Sequence, residues 1–203
     1  MVCWNCHARA EADHFCPECK NIQPTVPGTD YFAFFSLPPK LNLDPQNLSK
    51  RFYELSRKFH PDFFQRASER EREISTEKSS VLNKAYETLR DPWTRAEYAV
   101  GLEGLDAKKK AAISPELLDE VMTLQEEIEE KASASRLQIS IENLRKRLLE
   151  LSAKRDKTFE EWDRSDTHRP SAEKLLQLLH ERKYLETALR NAQSGLQALG
   201  SRK

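Results

Sequence analysis

Residues 45–66 read PQNLSKRFYELSRKFHPDFFQR, and this stretch decides the fold of the chain. Apolar residues recur in it at helical spacing and predict one buried stripe, made of Leu48, Phe52, Leu55 and Phe59. Asp44 can cap the start of this helix, and Pro45 suits its first position, where no N–H is needed. Pro61 disfavours a helical conformation at the residue before it, so we expect the helix to end at His60.

The other side of this helix is basic. Helical geometry places Lys50 and Arg57 opposite the apolar stripe, and Arg51 and Lys58 about 100° round from it. His60-Pro61-Asp62 then forms a tight turn, with its imidazole and carboxylate exposed beside the basic side. A helix stop alone would account for such a triplet. The long helix that we expect over residues 67–89 makes the pattern more specific.

A basic amphipathic helix that ends in His60-Pro61-Asp62 and precedes a second long helix resembles the J domain of DnaJ-like co-chaperones. The resemblance implies that the triplet binds a DnaK-type chaperone together with the four basic residues of the helix: Lys50, Arg51, Arg57 and Lys58. The chain departs from the family at Phe63, because many J domains carry a basic residue directly after the aspartate.

All four cysteines lie near the start, as Cys3-x2-Cys6 and Cys16-x2-Cys19 with nine residues between the pairs. Such pairs place four thiolates at the corners of a tetrahedron, which suits one structural zinc ion and leaves no open position for catalysis. Iron is the alternative metal, because the ligands are soft. Disulfides and a redox Cys-x-x-Cys are disfavoured, since nothing indicates an oxidising compartment or a βαβ unit.

The cysteine segment, residues 1–22, is too short to have a core, so we expect it to be unfolded without its metal. We expect His7 and His14 not to be ligands. Residues 23–29 contain Pro24, Pro27 and Gly28 and are predicted to be a linker. Because this linker separates the two parts, we expect loss of the metal to leave the J domain, residues 30–103, intact.

Composition favours helices and excludes several functions. The chain has five glycines in 203 residues, and its 33 basic residues balance its 33 acidic residues. It therefore lacks a broad electrostatic footprint for nucleic acid, with a local basic patch left open, and no apolar run is long enough to span a membrane. No Ser/His/Asp order, paired-carboxylate cleft or phosphate-binding glycine loop can be recognised, so we do not expect this chain to be an enzyme. The start at Met1-Val2-Cys3 is either native or follows removal of a leader.

The last ninety residues predict three helices with heptad spacing. Ser114-Pro115-Glu116 opens the first of them. Their apolar stripes are Leu117, Val121, Leu124 and Ile128; Leu137, Ile141, Leu144, Leu148 and Leu151; and Leu175, Leu178, Leu185, Leu189, Ala192, Leu196 and Leu199, with Arg182 inserted. Residues 110–203 are therefore predicted to form a three-helix bundle. An extended coiled coil is the rival, but Pro115 and Pro170 interrupt its register. The predicted fold class is all-α.

A J domain followed by a helical bundle resembles the HscB family, the J-type co-chaperones of iron–sulfur cluster biogenesis. The resemblance covers residues 30–200 and is carried by Asp30-Tyr31-Phe32, the His60-Pro61-Asp62 triplet, residues 83–92 and Arg95-Ala96-Glu97-Tyr98. The cysteine segment resembles the addition of the animal mitochondrial form. Membership implies a DnaK-type chaperone and an IscU-type scaffold protein as partners. It also implies the mitochondrial matrix, with a cytoplasmic location left open.

We expect the client surface of the bundle on its first helix. Leu118 and Met122 form a second apolar row that continues into Glu126 and Glu130, beside a stripe that already supplies the core. Tyr184, on the flank of the last helix, is predicted to close the other side of this groove. The rival interpretation is a wide core stripe with a solvated acidic end. The resemblance favours the client surface, because the matching positions of the family bind the scaffold protein.

Other functions fit the sequence less well. A general J-domain co-chaperone with a different client would need Gly/Phe-rich or β-rich segments. A zinc-ribbon nucleic-acid binder would need surplus basic residues, whereas residues 1–20 hold Arg9 and Lys20 against Glu11, Asp13 and Glu18. A rubredoxin-like iron module is distinguished from a zinc site by the colour of the purified protein. Self-association is left open.

Overall fold

The computed structural model describes residues 2–9, 14–109, 114–130 and 133–200. The described residues form seven α-helices and one short 3-10 helix, Pro61–Phe64, and the predicted all-α class is confirmed. The α-helices are α1 (Tyr31–Phe34), α2 (Pro45–Phe59), α3 (Glu69–Arg90), α4 (Pro92–Leu102), α5 (Pro115–Glu129), α6 (Ala134–Arg164) and α7 (Arg169–Gly200). None of the described helices is long and apolar enough to cross a lipid bilayer.

By packing, the chain divides into two compact units, Met1–Thr94 and Arg95–Lys203, so the division falls inside α4. The cysteine segment therefore belongs to the same unit as the helical hairpin. The segment boundaries that we drew from the sequence, with a J domain over 30–103 and a bundle over 110–203, describe sequence patterns and stay predictions.

The first unit contains the antiparallel pair α2 and α3, and local rules set most of their ends. The Asp44 carboxylate accepts a hydrogen bond from the Gln46 N–H at 3.0 Å, and α2 ends at Phe59, with the predicted end residue His60 as its C-cap. A capping box starts α3, since Ser68 Oγ accepts from the Glu71 N–H at 3.3 Å and the Glu71 carboxylate accepts from the Ser68 N–H at 3.1 Å. The α3 helix begins two residues later than predicted.

The core of the first unit is aromatic, and among its described residues it includes one buried charged side chain. Residues buried in it are Phe32, Phe34, Phe35, Leu41, Leu48, Phe59, Ile74, Leu82, Ala85 and Leu89. Lys78 of α3 is also buried, at 2% exposure. Its Nζ lies 5.6 Å from the ring centroid of Phe34 and 5.3 Å from that of Phe59, and both rings stabilise its charge.

The second unit contains the bundle, in which α7 packs against both α5 and α6. Ser114 Oγ accepts from the Leu117 N–H at 3.2 Å, which confirms the predicted cap of α5. Leu117, Leu124, Leu137, Ile141, Leu144, Leu151, Leu175, Leu178, Leu185 and Ala192 of the predicted stripes are buried. The α5 and α7 helices approach closely at Gly195, where an added Cβ would lie 3.3 Å from Ile128 Cγ2.

Candidate functional site

The His60-Pro61-Asp62 turn is exposed where α2 meets the 3-10 helix. The Asp62 N–H donates to His60 Nδ1 at 3.3 Å, so in the neutral ring the proton is on Nε2. The Asp62 side chain is 70% exposed, and its Oδ1 accepts from Gln65 Nε2 at 3.4 Å. A solvated carboxylate with acceptor capacity to spare can accept charge-assisted hydrogen bonds from an arginine of a partner.

Two hydroxyl groups of α3 hold the residue that precedes the turn. The Phe59 carbonyl accepts from Ser75 Oγ at 2.6 Å and from Ser79 Oγ at 3.0 Å. Carbonyls in the last turn of a helix have no partner within the helix, so these two bonds satisfy an otherwise orphaned group. They also fix the end of α2 on α3. Neither serine could be recognised from the sequence, because its partner lies far away along the chain.

The predicted chaperone-binding residues are accessible. Lys50, Arg57 and Lys58 of α2 are exposed and Arg51 is half-buried. Phe63, the departure from the J-domain pattern, is 73% exposed, and its ring meets that of His60 edge-on at a centroid distance of 6.1 Å. A large aromatic side chain therefore lies in solvent beside the turn.

The four cysteines form one cluster, in which the Sγ atoms all lie within 4.8 Å of one another. Cys3 and Cys19 are 3.6 Å apart and Cys6 and Cys16 are 3.7 Å apart. A tetrahedron with metal–sulfur bonds of about 2.3 Å has edges of about 3.8 Å, so these residues fit one four-coordinate ion. The predicted metal ligands are thus positioned to bind a single metal ion.

The two Cys-x2-Cys pairs also share the same backbone geometry, which their spacing alone did not predict. The N–H of Cys3 donates to the Ala8 carbonyl at 3.0 Å, and the N–H of Cys16 donates to the Asn21 carbonyl at 2.9 Å. The residue after the second cysteine of each pair has a left-handed backbone, with φ of 61° at His7 and 62° at Lys20. Neither residue is glycine, so the sequence carried no conspicuous signal of these turns.

The electrostatics of the cluster favour a cation. The Cys6 N–H, with that of Asn5, lowers the pKa of Cys3 to about 6 by hydrogen bonding to its sulfur. The Ala8 N–H acts in the same direction at Cys6, but desolvation and the sulfurs of Cys19 and Cys3 outweigh it and raise the pKa of Cys6 to about 12. Four adjacent thiols cannot all ionise unless a positive charge lies between them, which a bound metal ion provides.

The cysteine segment packs directly on the helical hairpin and is not held apart from it by the linker, as the sequence had suggested. His14 Nδ1 accepts from Lys78 Nζ at 3.0 Å, so His14 Nε2 carries the proton and donates to the Phe34 carbonyl at 3.0 Å. The ring of His14 also meets those of Phe34 and Phe59 edge-on, at 4.9 and 4.8 Å. His14 is not one of the four clustered ligands, but it joins the segment to the core.

The residues of the predicted client surface are exposed. Leu118 is 47% exposed and Met122 is 56% exposed, whereas Leu117 and Leu124 supply the buried stripe of α5. Glu126 and Glu130, which continue the row, are exposed as well. A wide core stripe would have buried Leu118 and Met122. Their role in binding a client stays a prediction.

Tyr184 of α7 is 39% exposed. It lines a cavity of about 230 Å³ whose other walls are residues 107–109 and neighbouring residues of α7. Tyr184 therefore lies beside the segment that follows α4, and its part in a groove on α5 stays a prediction.

The DnaJ domain family model matches residues 30–99. The iron-sulfur cluster co-chaperone protein HscB of Mus musculus is 30% identical over 167 residues, which are 79% of this chain and 71% of the mouse protein. The chain belongs to the HscB family. An HscB homolog of Arabidopsis thaliana is 36% identical over 66% of this chain, and the match spans 54% of that relative's length.

Solved structures extend the HscB likeness over both units. The crystal structure of human co-chaperone protein HscB superposes with a TM-score of 0.76 at 25% identity and covers 95% of this chain and 97% of the human one. Chaperone HscB from Vibrio cholerae gives a TM-score of 0.56 at 27% identity, covering 84% of this chain and 99% of the bacterial one. The fold of this chain is that of an HscB protein.

Proposed function

We propose that this chain is a co-chaperone of iron–sulfur cluster biogenesis. Its J domain stimulates the ATPase of a DnaK-type chaperone, while its bundle binds an IscU-type scaffold protein and delivers it to that chaperone. The observation that carries the proposal is the exposed His60-Pro61-Asp62 turn, held at the end of a basic helix in a chain of the HscB family. A general J-domain co-chaperone is not favoured, because the matched relatives are named for iron–sulfur clusters.

The J domain of this chain acts on the chaperone through electrostatics and hydrogen bonding. Lys50, Arg51, Arg57 and Lys58 attract an acidic surface and raise the rate of encounter, so association slows with added salt. Asp62 accepts a hydrogen bond from an arginine of the chaperone and so helps trigger hydrolysis. The hydrolytic chemistry belongs to the chaperone, so this chain acts without catalytic residues of its own.

The surface that binds the client is the exposed row of side chains on α5. Leu118 and Met122 offer an adaptable apolar surface, and Glu126 and Glu130 extend it with carboxylates that select for a partner with basic residues. Tyr184 adds a second contact from α7. The client is an IscU-type scaffold protein, as membership of the family implies.

The metal is one structural zinc ion held by Cys3, Cys6, Cys16 and Cys19. Four thiolates close the coordination sphere, so the ion supplies folding energy to the segment and no reaction. Support for a location in the mitochondrial matrix comes from the likeness to the mouse and human proteins.

The test is ATPase stimulation of a DnaK-type chaperone by the purified full chain. We expect His60→Gln to abolish stimulation and to leave the helical content unchanged, because the side chain of His60 is exposed. His7→Gln makes the same exchange at an exposed histidine outside the turn and is expected to stimulate normally. Full stimulation by His60→Gln would refute the assignment.

A further inference from the structure

We propose that a cavity between the cysteine segment and α2 binds an acidic side chain of the DnaK-type chaperone, which makes the cysteine segment part of the chaperone-docking surface. The inference rests on the proposed function and deepens it. The cavity has a volume of about 300 Å³. Phe15 forms one of its walls, Ser36 lines it just after α1, and Arg51 and Lys58 line it from α2.

The wall made by the cysteine segment is firmly held. The ring of Phe15 stacks on that of Phe59 at a centroid distance of 6.0 Å and an interplanar angle of 29°. The preceding residue, His14, is bonded at both ring nitrogens, to Lys78 and to the Phe34 carbonyl. The cavity is therefore a preformed feature of one compact unit, and a ligand that enters it does not have to order its walls.

The lining indicates the chemistry of the occupant. The lining contains two cations, Arg51 and Lys58, and one carboxylate, Glu54, so the net charge of the lining is positive. Within the described residues neither Arg51 nor Lys58 forms an ion pair, which leaves both cations available to an anion. Phe15, Phe35 and Leu55 add an apolar wall, and Ser36 and His14 complete the lining. A carboxylate on an aliphatic side chain matches both features, whereas a free hydrated anion would lose water against the apolar wall.

The position of the cavity identifies the protein that supplies the carboxylate. Arg51 and Lys58 belong to the same helix as Lys50 and Arg57, and α2 leads directly into the His60-Pro61-Asp62 turn. Phe59, on which Phe15 stacks, is the residue before that turn. A chaperone that binds the basic helix and the turn therefore covers the region of the cavity as well.

Two matched pairs of variants test the cavity. Ser36→Asp adds a negative charge to its lining, and Ser36→Asn is its uncharged control. Ser36 is exposed and has a left-handed backbone with φ of 51°, which Asp and Asn tolerate well. Phe15→Glu and Phe15→Gln repeat the comparison on the wall from the cysteine segment. Thermal unfolding and metal content check that each variant is folded.

The measurement is the concentration of the zinc-loaded full chain that gives half-maximal ATPase stimulation. We expect Ser36→Asp and Phe15→Glu to raise it about tenfold over their amide controls, through repulsion of the incoming carboxylate, with maximal stimulation unchanged. Equal values within each pair would overturn the inference. If only the Ser36 pair differs, the cysteine segment has no part in docking, and that half of the inference fails.

Further outcomes separate the inference from the proposed function. Loss of stimulation by His60→Gln with no effect of Ser36→Asp keeps the proposed function and overturns the cavity. If Ser36→Asp instead weakens binding of the IscU-type partner and leaves the chaperone assay unchanged, the cavity belongs to the client and the inference is wrong. An unmodified chain that stimulates no DnaK-type chaperone overturns both.

Discussion

Lys78 Nζ donates a 3.0 Å hydrogen bond to Nδ1 of His14, a residue 64 positions earlier in the chain. The lysine comes from the middle of α3 and is buried, while the histidine comes from the metal-binding segment. This bond makes His14 of the cysteine segment the hydrogen-bond partner of Lys78, which lies against Phe59 at the end of α2. The first unit is therefore a single structure, in which contacts link the cysteine segment, the buried lysine and the end of α2 that leads into the His60-Pro61-Asp62 turn.

The stability of the first unit is expected to depend on the protonation of Lys78. Burial lowers the pKa of Lys78 from 10.5 to about 8. Between these values the unfolded chain binds more protons than the folded one, so the free energy of unfolding rises with pH. The resulting gain in the free energy of unfolding is about 3 kcal/mol at most.

Lys78→Met removes this titration. Urea denaturation between pH 7 and 10.5 should show a smaller rise in the free energy of unfolding for Lys78→Met than for the unmodified chain. Lys84→Met, at an exposed lysine of the same helix, is the control and should keep the rise. Parallel pH profiles for Lys78→Met and the unmodified chain would contradict a depressed pKa at this residue.

Loss of the metal is expected to destabilise the helices of the first unit, contrary to the independence expected from the linker. The unfolded segment would withdraw His14 and Phe15 from Phe59 and leave Lys78 buried without its partner. An unpaired buried polar group costs roughly 1–3 kcal/mol. Cys6→Ser should therefore lower both the metal content, from one ion per chain, and the temperature at which the helical signal is lost.

The control for the metal experiment is Glu18→Gln, an exposed change within the same segment. It should keep the metal and the unfolding temperature. A metal-free Cys6→Ser chain whose helices unfold at the unmodified temperature would show that the segment contributes nothing to the hairpin.

Phe63 is expected to contribute to chaperone docking as an exposed aromatic anchor. Its ring is 73% exposed beside His60, so Phe63→Ala should leave the thermal midpoint unchanged. Aromatic anchors in interfaces typically contribute about 1–3 kcal/mol, so half-maximal ATPase stimulation should require roughly tenfold more protein. Ile139→Ala, at a 63% exposed residue of α6, is the control. An unchanged stimulation curve for Phe63→Ala would exclude this role.

The client surface is tested by the triple variant Leu118→Ala, Met122→Ala and Tyr184→Ala. All three side chains are exposed, so the thermal midpoint should change little, while binding of the IscU-type partner should be lost. The matched control is the double variant Ile139→Ala and Leu149→Ala, which truncates two exposed apolar residues of α6. Unfolding of the triple variant would show that these residues stabilise the bundle, and the client surface would have to lie elsewhere.

The sequence by itself determined the features that depend on neighbouring residues. Asp44, Pro45 and Pro61 set the ends of α2, because capping and the restricted backbone of proline act within a few positions. The spacing of the cysteines likewise predicted their cluster, since two residues between ligands bring both sulfurs of a pair to one ion. The heptad stripes predicted the bundle for the same local reason.

Tertiary structure alone decided the contacts between distant residues. Lys78 follows Ile74 by four positions and so continues the apolar stripe of α3, but a lysine there is normally solvated, and only the rings of Phe34 and Phe59 and the imidazole of His14 make its burial tolerable. The docking of the cysteine segment depends on these same groups. None of these residues predicts the contact by its own position in the sequence. Their interaction forms only when folding brings them within bonding distance.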